Sequence, residues 1–384
     1  MSPRVWPETL GAACQFITPS PKFRFTCGNA PVSCQSMKSA YWKVSFLLFT
    51  LIPSLPAEAK PFALDKYVPA KGPGVVALVA VKGKVVYRGA AGFAHIGKKI
   101  PMKPEYVFNM ASVSKHMTAM TILMLETEGK LKATDSIRKY IPELPEYTKT
   151  VTIRHLLHHQ GGLPDYEDIC GSGDKPMTNQ AVVDFLKTTK KPQFAAGKKY
   201  QYSNSGYVIL AKIASRAAAK DFSEFIAQRI FAAVGMQSTF MLTPASLAKY
   251  QNLPVVGYYE NWKSGPYVFS GCDTLVGDGS VISNIDDLHL WFSALHQKKL
   301  LDARNMNTYF KPVTAPGGPP YAYGLEKSVD DGEVSFSHEG SWGGFISSVT
   351  YYPAMQAWII TMSNFDGFAS APLNDALYEA FLDN

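Results

Sequence analysis

Strand-like sequence at both ends of the chain encloses a helical middle, and this arrangement is the strongest constraint on the fold. Near the start, the β-branched run 75–81 is followed by Lys82-Gly83-Lys84 and a second run, 85–87, which predicts a hairpin closed by a Gly-containing turn. Towards the end, runs that are alternating or apolar predict three more strands, at 335–338, 345–352 and 358–363. These strands fit one antiparallel sheet that is assembled from both ends of the chain.

Helical periodicity dominates the sequence between the two strand blocks. It predicts four helices in the middle of the chain, a short helix near the start and an amphipathic helix at the end: 112–128, 152–159, 179–188, 205–220, 62–68 and 372–382. The expected fold is therefore α+β, an antiparallel sheet flanked by N- and C-terminal helices with an inserted, mostly helical region. Such a two-lobed architecture places a ligand site in the cleft between the lobes.

Charge and cysteine content exclude several classes of protein. The chain carries 38 Lys and Arg against 31 Asp and Glu, a net charge of +7, and no run of five like charges, so a nucleic-acid partner is not expected. Five cysteines in 384 residues are too few for a disulfide scaffold, and no C-x-x-C pair indicates a zinc or redox centre. Cys170 and Cys272 lie far apart in the sequence, and both a disulfide and two free thiols stay open for them.

The first 59 residues differ from the rest. From Met37, two lysines, the apolar run 44–52 and Ala57-Glu58-Ala59 have the order of a secretory signal peptide, which predicts a signal at 37–59. Residues 1–36 are interpreted as a non-native or disordered prefix, and residues 60–384 as the functional domain. The alternative is a long, disordered N-terminal region ahead of an uncleaved membrane anchor.

The apolar run 44–52 is also informative about the compartment. It has about half of the roughly 20 residues that a membrane-spanning helix needs, so no stable membrane anchor is expected after cleavage. The protein is therefore expected to be secreted, specifically to the periplasm.

Ser112 and Lys115 place a hydroxyl and an amine one helical turn apart on the same face. A serine becomes a nucleophile when a neighbouring base takes its proton, and a lysine can act as that base when its pKa is lowered. The lead-in 108–111 and the long apolar helix that follows distinguish this pair. The same spacing occurs without that setting at Ser136/Lys139, Ser172/Lys175 and Ser246/Lys249.

Two further motifs follow in the chain. Tyr202 and Asn204 precede a predicted helix, and a phenol beside an ammonium can exchange its proton while an amide can both donate and accept. His338, Gly340 and Ser341 lie on a predicted strand, where the glycine permits close backbone approach and the Ser341 N–H can stabilise an oxyanion.

In this order the three motifs resemble those of the serine β-lactamase and penicillin-recognising superfamily, in its class C β-lactamase, D,D-carboxypeptidase and esterase branch. The family elements S-x-x-K, Y-x-N and H-x-G or K-T-G correspond to Ser112/Lys115, Tyr202/Asn204 and His338/Gly340. Segments 152–163 and 277–288 are also family-like. The resemblance covers residues 61 to 384.

The resemblance implies acyl transfer through a covalent serine ester, without metal or cofactor. Ser112 would attack a carbonyl, Lys115 and Tyr202 would move the proton, and Asn204 would orient the acyl side chain. The N–H groups of Ser112 and Ser341 would hold the oxyanion. The expected partner is a small-molecule or peptide substrate.

The third motif departs from the β-lactamase pattern, because His338 and Glu339 stand where many β-lactamases have Lys and Thr. A histidine is only partly charged near neutral pH, so recognition of a β-lactam carboxylate is weakened. A secreted esterase or peptidase acting on an ester, amide or D-amino-acid peptide is therefore favoured over an efficient β-lactamase. The alternative is a sensor or receptor of the same fold that binds penicillin or cell-wall fragments without turnover.

Three histidines, His155, His158 and His159, fall in one predicted helix. Residues three and four apart face the same way and can ligate a metal. No nearby carboxylate completes a known zinc pattern, so helix-packing and capping roles are favoured for them.

Overall fold

The computed structural model describes residues 62–171 and 175–383. The predicted prefix at 1–36 and the predicted signal peptide at 37–59 lie outside these residues. In the part of the chain that is described, no helix has the length and apolar character needed to cross a bilayer.

Thirteen strands and ten α-helices are found within the described ranges. The strands are β1 (Val75–Val81), β2 (Lys84–Ala91), β3 (Phe93–His95), β4 (Ile100–Pro101), β5 (Phe108–Asn109), β6 (Phe240–Met241), β7 (Val281–Ser283), β8 (Val313–Thr314), β9 (Pro320–Tyr321), β10 (Glu326–Asp330), β11 (Glu333–Trp342), β12 (Phe345–Tyr352) and β13 (Ala357–Ser363). The helices are α1 (Lys115–Thr127), α2 (Ile153–Leu157), α3 (Asn179–Thr188), α4 (Asn204–Ala218), α5 (Phe222–Ile226), α6 (Ala232–Val234), α7 (Leu247–Gln251), α8 (Ile285–His296), α9 (Ala303–Tyr309) and α10 (Ser370–Phe381).

The main sheet has eight strands in the order β2-β1-β13-β12-β11-β10-β9-β8. Strand β1 pairs antiparallel with β13, with Val75 opposite Ser363 and Val81 opposite Ala357. The sheet therefore joins the two ends of the described chain, and the helical region is inserted between β2 and the C-terminal strands. This confirms the predicted α+β architecture.

The sheet is covered on both faces, which explains why β1 is apolar at every position. Val75, Ala77 and Val79 pack with Leu373 and Leu377 of α10. The alternate residues of β1, such as Leu78, join the larger core that includes the helical region. Helix α8 packs against β1 and β13.

The structure differs from the predicted elements in several places, and helices α5 to α9 and strands β3 to β7 were not predicted at all. The short helix expected at 62–68 is a single 3₁₀ turn, Leu64–Tyr67. Helix α2 ends at Leu157, so His158 and His159 lie beyond it, and His159 has a left-handed backbone with φ of 56°. Strands β8 to β10 were not predicted, because two of them have only two residues and β10 is largely exposed and charged.

Candidate active site

Ser112 lies in a tight turn that connects a small three-stranded sheet, with the order β5-β7-β6, to helix α1. Strand β5 leads into the 3₁₀ turn Ala111–Ser114, which continues directly into α1. Ala111 has a left-handed backbone, with φ of 45°, which is an unfavourable conformation for a residue with a Cβ. The first eleven residues of α1 are all buried, so this helix is enclosed on every side.

Enclosure of α1 places the Lys115 amine in the protein interior, where it is fully buried. Its Nζ lies 3.0 Å from the Ser112 Oγ, 2.7 Å from the Asn204 Oδ1 and 2.8 Å from the Asp278 carbonyl oxygen. An ammonium can donate to all three oxygens. A neutral amine keeps two N–H donors for Asn204 and Asp278, which leaves its lone pair directed at the Ser112 hydroxyl.

Burial also changes the acidity of Lys115. Desolvation lowers its pKa from 10.5 to about 8, although the nearby carboxylates of Asp278, Asp165 and Glu167 act in the opposite direction. A lysine with this pKa is partly unprotonated near neutral pH. It can therefore accept a proton from Ser112.

Asn204 begins helix α4, which the Ser203 hydroxyl caps by accepting from the Gly206 N–H at 3.1 Å. The Asn204 amide is bonded on both sides: its oxygen accepts from Lys115, and its Nδ2 donates to the Glu167 Oε1 at 2.6 Å. Asn204 therefore fixes Lys115 and lines the groove described below.

Tyr202 lies in the irregular segment just before α4. Its hydroxyl interacts with the Ser112 hydroxyl, and desolvation raises the pKa of this phenol well above 10. The residue as a whole is 37% exposed. Its ring lies 4.8 Å from the Lys115 Nζ, measured to the ring centroid. Tyr202 thus keeps its proton near neutral pH next to the serine.

Strand β11 passes very close to the Ser112 turn at Gly340. A Cβ at this position would lie 2.4 Å from the Met110 carbonyl oxygen and 3.0 Å from the Ser112 nitrogen, so only glycine fits here. The close approach is made to the backbone around Ser112 itself. It is the reason why the next residue, Ser341, lines the same space as Ser112.

The hairpin after β11 determines where the Ser341 N–H points. Strands β11 and β12 are joined by Gly343 and Gly344, both with positive φ, so Trp342 and Phe345 form the hydrogen-bonded pair of a two-residue turn. Ser341 opposite Ile346 is then a non-hydrogen-bonded pair. The Ser341 N–H therefore points away from β12. It points from the other edge of β11, the edge that pairs with β10, at a level past the first residue of β10.

His338 is buried, and both of its ring nitrogens have partners. Its Nδ1 lies 2.6 Å from the Glu339 carbonyl oxygen and its Nε2 lies 3.1 Å from the Tyr321 hydroxyl. This corresponds to a neutral ring that donates from Nδ1 and accepts at Nε2. Burial, followed by the charge of Lys115, lowers the pKa of His338 to about 3. The expectation of a partly charged imidazole was therefore wrong, because the ring is desolvated.

The sequence-predicted site residues meet at one groove of about 900 Å³. Ser112, Tyr202, Asn204, His338, Gly340 and Ser341 all line it, and Lys115 lies behind Ser112. Five carboxylates also line this groove: Asp165, Glu167, Glu326, Glu339 and Asp375. Among its described lining residues there is no lysine or arginine.

Asp278 is a neighbour of the site that the motifs did not single out. Its carbonyl holds Lys115, and its carboxylate accepts from the buried Tyr166 hydroxyl at 2.7 Å. Burial raises the pKa of this carboxyl to about 6, against the lowering effect of Lys115. The family-like segment 277–280 was the available signal, but it did not reveal that Asp278 contacts Lys115.

Cys170 and Cys272 form a disulfide, with 5.7 Å between their Cα atoms. This decides the question that the sequence had left open. Cys272 lines a small cavity next to Ser112, so the disulfide supports one wall of the site.

The three histidines beside the site have different environments. His155 forms a capping box with Thr152 at the start of α2, and His158 bonds to the Tyr321 carbonyl at 3.0 Å. His159 stacks on the Tyr202 ring. Each ring is thus engaged with the protein in the packing and capping roles that were expected.

Comparison with known proteins identifies the family. The sequence profile of the Beta-lactamase family matches residues 65–383. Penicillin-binding protein 4* of Bacillus subtilis is 32% identical over 309 residues, which is 75% of this chain and 67% of that protein. A D-aminopeptidase of Brucella canis is 27% identical over 314 residues, covering 78% of this chain but only 58% of the relative.

A solved structure shows the same fold. The D-amino acid amidase of Ochrobactrum anthropi SV3 superposes with a TM-score of 0.69 and 24% identity, covering 82% of this chain and 98% of the amidase. The family match extends over most of the described chain, and the S-x-x-K, Y-x-N and H-x-G residues face one groove within it. The chain therefore belongs to the Beta-lactamase family of serine hydrolases.

Proposed function

We propose that this chain is a secreted serine hydrolase that works through an acyl-enzyme at Ser112 on an ester, amide or D-amino-acid peptide. The observation that carries the proposal is the buried Lys115 amine at 3.0 Å from the Ser112 hydroxyl. Secretion to the periplasm is supported by the signal-like sequence at 37–59 and by the disulfide, since disulfides persist in oxidising compartments.

In the acylation step, neutral Lys115 accepts the Ser112 proton while the serine oxygen bonds to the substrate carbonyl carbon. The carbonyl oxygen becomes an oxyanion, and the N–H groups of Ser112 and Ser341 stabilise it. Asn204 and the Asp278 carbonyl keep the amine oriented throughout.

Collapse of the tetrahedral intermediate breaks the bond between the carbonyl carbon and the leaving group. Tyr202 donates its proton to the departing nitrogen or oxygen and is reprotonated from Lys115. Water then attacks the carbonyl carbon of the Ser112 ester. Tyr202 and Lys115 take the water proton and return it to the Ser112 oxygen as the bond to the acyl group breaks. One water is consumed, and the acid product and the leaving group are released.

The charges of the groove bear on substrate choice. His338 is neutral at physiological pH, so it gives a substrate carboxylate no positive partner. Glu326 and Glu339 both line the groove, and burial, followed by the charge of Glu339, raises the pKa of Glu326. A substrate carboxylate is disfavoured next to such groups. An amine or neutral substituent is accommodated better, so hydrolysis of esters, amides or D-amino-acid peptides ranks above β-lactam hydrolysis.

The first experiment is intact-protein mass spectrometry of the protein incubated with a fluorophosphonate probe and, separately, with a penicillin. The wild type is compared with Ser112→Ala, and with Ser136→Ala as a matched control from a second Ser-x-x-Lys sequence. The proposal expects one fluorophosphonate adduct that is lost only in Ser112→Ala. A wild-type protein that takes no label would contradict it.

Turnover distinguishes the hydrolase from the sensor or receptor alternative. A D-alanine ester is compared with its N-acetylated form and with a matched substrate that bears a carboxylate in place of the amine. The proposal expects many turnovers per Ser112 and the lowest kcat/KM for the carboxylate. A single covalent equivalent without product release would instead identify a sensor.

A further inference from the structure

We infer that His159 is the residue that positions Tyr202 for proton transfer at Ser112, and this inference rests on the proposed function. His159 is 44 positions before Ser203 in the chain and lies beyond the end of helix α2. It makes no direct hydrogen bond to Ser112 or Lys115 among those found in the described chain. Its role is therefore to act through Tyr202 as a positioning residue.

Three contacts from the single residue His159 enclose Tyr202. The His159 carbonyl accepts the Gln201 N–H at 2.9 Å, and its ring Nδ1 accepts the Ser203 N–H at 3.1 Å. Between these two bonds, the imidazole stacks on the Tyr202 ring, with 4.3 Å between centroids and 29° between planes. Both chain neighbours of Tyr202 and its aromatic ring are thus held by one residue.

Tyr202 needs such support because its own segment offers little. It lies outside regular secondary structure, and 37% of its surface is exposed. Loop residues with this exposure ordinarily sample several orientations. A displacement of about 1 Å at a reacting group is enough to slow catalysis roughly 100-fold. A fixed ring is therefore of direct value to the proposed proton transfer.

His159 is itself held rigidly. It is 1% exposed, and the Tyr321 ring packs edge-on against it with 4.7 Å between centroids. Its left-handed backbone, with φ of 56°, is that of the residue after the C-cap in a Schellman motif at the end of α2. The His159 N–H donates to the Leu156 carbonyl at 3.2 Å and the Gln160 N–H donates to the His155 carbonyl at 2.7 Å, so local hydrogen bonds at the end of α2 fix where the His159 side chain begins.

The protonation state of the ring agrees with this role. Nδ1 accepts from Ser203, so the ring proton resides on Nε2, and a second proton on Nδ1 would remove the acceptor. Burial, followed by the positive charge of Lys115, keeps the pKa of His159 well below 6.5. The bond to Ser203 is thus maintained at neutral pH.

Two substitutions separate the contacts. His159→Phe keeps a ring that can stack on Tyr202 but loses the acceptor for the Ser203 N–H. His159→Asn keeps an amide acceptor and tolerates the left-handed backbone but loses the stacking ring. His155→Asn is the matched control, because the His155 ring caps α2 at Thr152 and neither stacks on the Tyr202 ring nor bonds to Ser203 among the contacts of the described chain.

The readout is kcat/KM for an amide substrate, because the departing amine takes its proton from Tyr202, measured at a temperature at which every variant is folded. Each His159 variant is expected to have a kcat/KM about 10–100-fold below that of the wild type. The kcat/KM of His155→Asn is expected to stay within about twofold, even if its melting temperature falls.

A double-mutant cycle with Tyr202→Phe tests whether His159 acts through Tyr202. In the Tyr202→Phe background, His159→Phe is expected to lower kcat/KM for the amide by less than about threefold further, because the proton-transferring group is already gone. Full additivity of the two effects would overturn the inference, as would a wild-type kcat/KM in both single His159 variants. A wild type that takes no fluorophosphonate label would instead refute the proposed function, which keeps the two failures distinguishable.

Discussion

The Lys115 Nζ and the Asn204 Oδ1 lie 2.7 Å apart and join helices α1 and α4 across 89 positions of the chain. Because Lys115 must be unprotonated to accept the Ser112 proton, kcat/KM should rise with pH through its lowered pKa of about 8 and level off above it. The pH profile of kcat/KM for an ester substrate checks this. A profile that is flat from pH 6 to 9 would contradict the assignment of Lys115 as the base.

Substitution of Asn204→Asp should move that profile. A carboxylate at 2.7 Å from the amine favours the ammonium form, which raises the pKa of Lys115 and shifts the rising limb to higher pH. Asn252→Asp, an exposed position at the end of α7, is the control and should leave the limb unchanged. An unshifted limb in Asn204→Asp would show that a different group controls the profile.

Removal of the Lys115 amine should slow the reaction strongly without unfolding the protein. Lys115→Met replaces a fully buried amine by an apolar side chain of similar length, so α1 stays packed. The labelling rate of Ser112 should fall by about 10²–10⁴-fold, the range typical for a lost general base. Lys139→Met, in which an exposed partner of Asp135 is removed, should label like the wild type.

Gly340→Ala should damage both stability and activity. Its Cβ would lie 2.4 Å from the Met110 carbonyl oxygen, so β11 must move away from the Ser112 turn. We expect a loss of about 1–3 kcal/mol in the free energy of unfolding, measured by urea denaturation, together with slower labelling. Gly97→Ala is the control, because its Cβ would have 3.5 Å to the nearest atom. Wild-type stability in Gly340→Ala would disprove this close contact.

Loss of the Cys170–Cys272 disulfide should destabilise the fold. The bridge closes a loop with a sequence separation of 102, for which the chain-entropy argument gives about 4–5 kcal/mol. Urea denaturation of the Cys170→Ala/Cys272→Ala variant measures the change, and the wild type under reducing conditions should show the same one. Recovery of two free thiols from unreduced wild type by alkylation and mass spectrometry would show that the bridge is absent in solution.

Local patterns predicted several elements closely, but the long helix α8, Ile285–His296, was missed. The alternation in 345–352 corresponds to β12, residue for residue, and the helix expected at 179–188 is α3. The helix predicted at 152–159 was too long, because a Schellman motif ends α2 before His159: the His159 N–H donates to the Leu156 carbonyl and the Gln160 N–H to the His155 carbonyl. The strands β8 to β10 gave no periodic signal because they are short or exposed.

By itself, the sequence determined the α+β class, the enclosure of a helical region by strands, and the three motifs with the order of their chemical groups. These features are encoded within windows of a few to a few tens of residues, where periodicity and side-chain type suffice. Only the tertiary structure decided the pairing of β1 with β13, the disulfide, the neutrality of His338 and the contacts of Asp278 and His159. The physical reason is that burial and pKa depend on which distant segments pack around a group, and packing is a property of the whole fold.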